Sequence, residues 1–143
     1  MITGVPGHYI KNVQLQNIEI SFPGDGLEKE AEIEVPEDEK RYPEQALFGR
    51  LPSYGMFIRQ VEQLTLNNVH LTYRNTEERP AIVCDDVRNI EFINFRAQAP
   101  TGYPYLFKFN NVQHAWFHNT RAQGVIKELV KLDEACENIH FEK

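Results

Sequence analysis

One position of this chain is filled by asparagine four times over, at Asn17, Asn68, Asn94 and Asn119. Each stands inside the same short phrase: Val13–Ile20 (VQLQNIEI), Leu64–Leu71 (LTLNNVHL), Ile90–Ala97 (IEFINFRA) and Ala115–Ala122 (AWFHNTRA). A shortened fifth copy, Ile139-His140-Phe141, closes the chain. Equivalent positions fall at 13, 64, 90, 115 and 139, at steps of 51, 26, 25 and 24. A period in this range marks a solenoid with one coil per repeat. Apolar residues alternate with period two ahead of each Asn, so the repeat is built on strands. An Asn at one place in successive coils can stack its amides into a hydrogen-bonded ladder, as in-register strands allow. The pattern predicts a parallel β-helix of about four to five coils, in one domain spanning residues 1–143.

A second strand precedes each Asn-bearing one, at Gly55–Ile58, Pro80–Cys84, Tyr105–Phe109 and Glu128–Leu132. Ile58, Cys84 and Phe109 each stand three residues before a valine (Val61, Val87, Val112), and Leu132 fits with one residue of slack. Val125–Leu132 reads as a strand, a short amphipathic helix being the other reading its spacing permits. The first step is about twice the rest, so roughly one coil length is inserted, over about residues 21–54. Its glycines and prolines (Phe22-Pro-Gly-Asp-Gly26, Val35-Pro36, Tyr42-Pro43, Leu51-Pro52) mark a long irregular excursion. A helical turn is expected near Pro43–Phe48. The insert keeps Ile33, Val35, Leu47, Phe48 and Leu51, which anchor it on the coils. Long loops on a rigid scaffold are where function tends to sit.

Charge is unevenly placed. Residues 21–50 hold nine acidic and four basic side chains, within a chain of net charge −6. An acidic face attracts neither nucleic acid nor anionic lipid. No stretch reaches the roughly 18 apolar residues of a membrane span, and no signal peptide heads the chain. Cys84 and Cys136 are too few for a disulfide framework or a zinc site. Two coils apart, they are expected to be buried free thiols. No cofactor is implied.

Several stretches together resemble one family. Ile2–Ile20, the insert with Val35–Glu44, Phe48–Arg59 and Arg79–Val87 are similar to the C-terminal coils of glycoside hydrolase family 28. These are the polygalacturonase-like, pectin-degrading enzymes, in their Bacteroides-type forms. The likeness covers about residues 2–98; beyond that only the coil rhythm carries it. It implies a right-handed parallel β-helix, inverting hydrolysis of pectic polysaccharide, and a periplasmic or extracellular setting. Inversion needs one carboxyl group to protonate the leaving oxygen and another to activate water. The family's catalytic set comes from Asn-Thr-Asp, Asp-Asp, Gly-His-Gly and Arg-Ile-Lys motifs.

This chain lacks that set. Asn75-Thr76 is followed by Glu77, and Gly7-His8 by Tyr9. Asp85-Asp86 is read as a polar corner after Cys84, and neither it nor His8 is assigned catalysis. By the likeness, the chain starts just after the Arg-Ile-Lys position and is expected to be inactive alone. The candidates for touching sugar are Tyr54 and Arg59, where the strand after the insert emerges. An Arg fork suits a carboxylate and an aromatic face suits a sugar ring. The plainer readings are a packed corner aromatic and a solvent-facing strand residue. Trp116 should face outward, where it could be a platform; the plainer reading covers it with a loop or a neighbouring chain. His114 and His118 lack a carboxylate partner, so no metal site is assigned. The alternative to an enzyme segment is a non-catalytic carbohydrate-binding or structural β-helix. In either case the first coil is open, and self-association through it, or its coverage by the insert, is expected.

Overall fold

The computed structural model of the chain describes residues 1–37 and 49–142. Strands form where apolar and polar residues alternate, because successive side chains of a strand point to opposite faces. They are β1 (Ile2–Thr3), β2 (Ile10–Phe22), β3 (Met56–Tyr73), β4 (Ile82–Ile93), β5 (Arg96–Gln98), β6 (Tyr105–His118), β7 (Arg121–Gln123), β8 (Glu128–Leu132) and β9 (Glu137–Glu142). Every pairing between them is parallel. β1 and β2 lie on one side of β3, with β4 and β5 on the other. β6 and β7 stack on those, and β8 and β9 on β6. The chain is an all-β parallel solenoid of about 3 turns. Glu128–Leu132 is a strand, as its first reading has it.

The repeat becomes a set of inward columns. Ile2, Ile58, Cys84, Phe109 and Leu132 share one; Val13, Leu64, Ile90, Ala115 and Ile139 share another. In the middle levels these side chains are wholly buried. A third column, Leu15, Leu66, Phe92, Phe117 and Phe141, ends in an aromatic stack. Phe92 and Phe117 lie 4.9 Å apart, and Phe117 and Phe141 5.1 Å apart, both pairs nearly parallel. That is close to the spacing of neighbouring strands, so each ring rests on the one a level below. Cys136 stands in the column of Val112, whose backbone N–H donates to its Sγ (3.4 Å). The slack after Leu132 is taken up by a turn in which the Cys136 N–H donates to the Asp133 carbonyl. Both thiols are free, Cys84 buried as expected and Cys136 only half-buried, because few atoms lie beyond the last level.

Corners close each level. Asn17, Asn68, Asn94 and Asn119 all adopt left-handed backbone, with φ between 47° and 57°. Asn tolerates this region better than other residues bearing a Cβ. Two further corner columns accompany them: Asn12, Gln63, Asn89, His114 and Asn138, then Gln60, Asp86 and Asn111. The ladder itself is formed in pairs. Asn68 Nδ2 donates to Asn17 Oδ1 (2.9 Å), and Asn119 Nδ2 to Asn94 Oδ1 (2.7 Å). All four asparagines are exposed, so the column lines the outside of the bend.

The insert leaves after Phe22 and returns before Met56. It holds a 3-10 helix, Glu28–Glu32, at a place read as irregular chain. The Glu30 carboxylate closes its first turn by accepting the Leu27 N–H (2.7 Å). The turn expected near Pro43–Phe48 lies outside the described residues. Of the expected anchors Val35 and Leu51 are buried, with Ala31 beside them, and Ile33 is half-buried; Leu47 and Phe48 lie outside the described residues.

Candidate functional site

The insert lies on the outer face of the strands that open each level. Two outward rows meet it there. One is Phe57, Val83, Lys108 and Lys131; the other is Arg59, Asp85 and Asn110. Val35 and Leu51 pack on Phe57 and Val83, with Met1 against them, in a small second core. Arg59 is 4% exposed. It donates to the Val35 carbonyl (2.7 Å), the Pro36 carbonyl (3.2 Å) and Thr3 Oγ1 (3.3 Å). Its guanidinium sits over the Phe57 ring at 5.4 Å and faces Glu37 at 3.9 Å. Lys108 Nζ donates to the Ala31 carbonyl (2.9 Å) and pairs with Glu32 (3.0 Å). One cation on each of β3 and β6 thus holds the insert down.

Between insert and strands lies a cavity of about 470 Å³, lined by Glu37, Arg59, Asp85, Lys108 and Asn110 among others. Burial raises the Asp85 carboxyl above the ordinary carboxylate value; Arg59 opposes the shift, and Asp86, Glu37 and Asp133 add to it. A carboxyl so placed keeps its proton further toward neutral pH than an exposed one. Its neighbour Asp86 is the polar corner expected, accepting the Tyr9 hydroxyl (2.6 Å).

The two ends of the insert are clasped by a buried ion pair. Glu77, wholly buried, receives Arg79 through two bonds of 2.7 and 2.9 Å. The same carboxylate accepts the Gly26 N–H (3.3 Å), while Arg79 donates to the Leu51 carbonyl (3.1 Å). A Cβ at residue 26 would overlap both charged groups, so only glycine fits. The Asn75-Thr76-Glu77 stretch is therefore a structural clasp.

Tyr54 is 5% exposed and packs edge-on against Phe22 and Tyr73, its hydroxyl donating to the Gln98 carbonyl (2.7 Å). It edges a separate cavity of about 560 Å³ that Arg50, Ser53 and Arg79 also line. Its plainer reading, a packed corner aromatic, describes it. Arg59 differs from its plainer reading, since the insert covers it. The structure does not bring the two together in one cavity. His8 is exposed, at the end of a Val5–His8 turn around Pro6 and Gly7.

Trp116 faces outward, stacked beside His114 (6.1 Å) and His140 (5.8 Å). The two histidines read as a weak pair part company here. His118 does have carboxylate partners, Glu91 at 2.9 Å and Glu142, whereas His114 turns to Trp116. Among the described residues no group of three metal-ligating side chains converges. Sequence reasoning missed the Glu77–Arg79 clasp and the Lys108–Glu32 pair. The two acids and two arginines near Glu77 read as an ordinary polar corner, and Glu32 as one charge among many.

Comparison with family models, curated proteins and solved structures finds no match.

Proposed function

We propose that this chain is the C-terminal β-helix segment of a polygalacturonase-like glycoside hydrolase of family 28. It contributes to holding pectic polysaccharide and does not hydrolyse it alone. Two things support this reading: the resemblance of the insert with its flanking coils, and a parallel solenoid fold able to carry such a cleft. The observation that carries it is the walled cavity of about 470 Å³ beneath the insert. There Asp85, Asn110, Glu37 and Lys108 offer the donors and acceptors that an oligosaccharide's hydroxyls need. The non-catalytic part of the proposal rests on the missing motifs. The whole enzyme would work in the periplasm or outside the cell.

A second reading, a carbohydrate-binding or structural β-helix without an enzyme attached, is favoured by the charge of the same cavity. Glu32, Glu34, Glu37 and Asp85 line it against Arg59 and Lys108, an acidic excess that repels uronates.

Calorimetric titration with oligogalacturonides, beside a reducing-end assay, separates these. Binding heat with no new reducing ends is expected. Release of reducing ends by this chain alone overturns the non-catalytic assignment, and preferential binding of neutral oligosaccharides in this same cavity, read from the amides of Asp85 and Lys108, transfers support to the second reading.

A further inference from the structure

On the other side of Glu32 from the cavity under Val35 lies a pocket of about 430 Å³ beside the 3-10 helix. Its lining is Glu28, Lys29, Glu32, Tyr103, Pro104, Tyr105 and Lys131. Tyr103 is 5% exposed, yet its hydroxyl has no hydrogen-bond partner among the described residues. A buried polar atom without a partner carries a desolvation cost of about 1–3 kcal/mol, and native folds rarely leave one so. Burial, helped by Glu32, Tyr105 and Glu28, pushes this phenol up to about 12, so at neutral pH the hydroxyl keeps its proton and can donate. The Tyr103 and Tyr105 rings meet edge to face at 5.8 Å and make an aromatic corner.

We propose that this pocket binds a neutral pyranose ring, with a C–H face on Tyr105 and one hydroxyl bonded to the Tyr103 hydroxyl. The lining argues for that class. Its ionisable rim holds two carboxylates, Glu28 and Glu32, and two ammonium groups, Lys29 and Lys131, so the formal charges cancel. An ion of either sign gains little there. A sugar hydroxyl both donates and accepts, so a rim of mixed sign suits a polyol. Aromatic rings supply the apolar wall and polar groups fix orientation, the usual division of labour in a small-molecule site. The inference goes beyond the proposed function, which concerns a uronate chain in the neighbouring cavity; Glu32 alone lines both.

The test is an amide-correlation NMR titration of the whole chain, with galactose and, separately, galacturonate. Galactose is expected to shift Tyr103, Tyr105 and Lys131 saturably, and galacturonate to bind more weakly. Tyr103→Phe should weaken galactose binding about fivefold, as loss of one neutral hydrogen bond implies, while thermal stability holds or rises. Tyr105→Ala should abolish the shifts. Three results would overturn the proposal: no saturable galactose shift up to the solubility of the sugar, galacturonate binding as tightly, or Tyr103→Phe titrating like the parent. Oligogalacturonide binding is read from Arg59, Asp85 and Lys108, so either idea can fail without the other.

Discussion

At a corner of the solenoid, what matters in a residue is the backbone it tolerates. Asn94 holds φ at 48° and accepts the Asn119 amide. Asn94→Ala should therefore lose about 1–2 kcal/mol of stability through the left-handed backbone alone. Asn94→Gly, free of that cost, should retain more of the stability than alanine does. Equal denaturation midpoints for alanine and parent would refute the corner argument. The Glu77–Arg79 clasp is the other point where one residue governs much. Glu77→Gln leaves Arg79 buried without its counter-charge, a loss of about 3–5 kcal/mol for pairs of this kind. Urea unfolding measures it, and a change below about 1 kcal/mol, the range of a surface pair, would show that the clasp is not a buried ion pair in solution.

Among the elements, the insert is the one whose attachment depends on pH. Glu30 lies below the ordinary carboxylate value chiefly through its bond from Arg50, and Glu32 chiefly through its bond from Lys108. Each contributes stability above its free value near 4.5 and loses it as pH falls through the lowered value, Glu32 through the insert's hold on β6 and Glu30 through the insert's own fold. Acidification below about 4.5 should loosen the insert, seen as faster amide exchange at Ala31–Val35 while β4 and β6 stay protected. Simultaneous loss of protection in insert and strands would contradict this order. The strands themselves were legible because Val, Ile, Leu and Phe recur with period two and their columns repeat every 24 to 26 residues. The Asn column was legible because one side chain serves every level. The other two corner columns were not, since Gln60, Asp86 and Asn111 share a backbone conformation and no side-chain identity, and Gln63 and His114 interrupt the run of Asn12, Asn89 and Asn138. Tyr54 and Arg59 were legible as distinctive residues beside the insert. The packing of Tyr54 was among its readings; the burial of Arg59 was not, because it depends on where Val35 and Pro36 come to rest, and no periodicity fixes that.

For the whole molecule, the end level is decisive. Ile2, Ile10, Val13, Leu15 and Ile18 are only half-buried, whereas their column-mates on β3 are 0–1% exposed. Among the described residues the insert covers the flank and not this end. We propose that a further rung completes it, from a second copy or from preceding chain. In sedimentation velocity this chain should self-associate with rising concentration, and Ile18→Arg should abolish the effect. A monomer at every concentration would remove self-association from the account.

The proposal that the insert-roofed face meets polysaccharide is tested most directly by mapping oligogalacturonide onto amide resonances. Saturable shifts centred on Arg59, Asp85, Lys108 and Asn110, diminished in Lys108→Ala, are the expected result. Shifts centred instead on the Trp116 side of the solenoid, or no saturable shift at all, would contradict it.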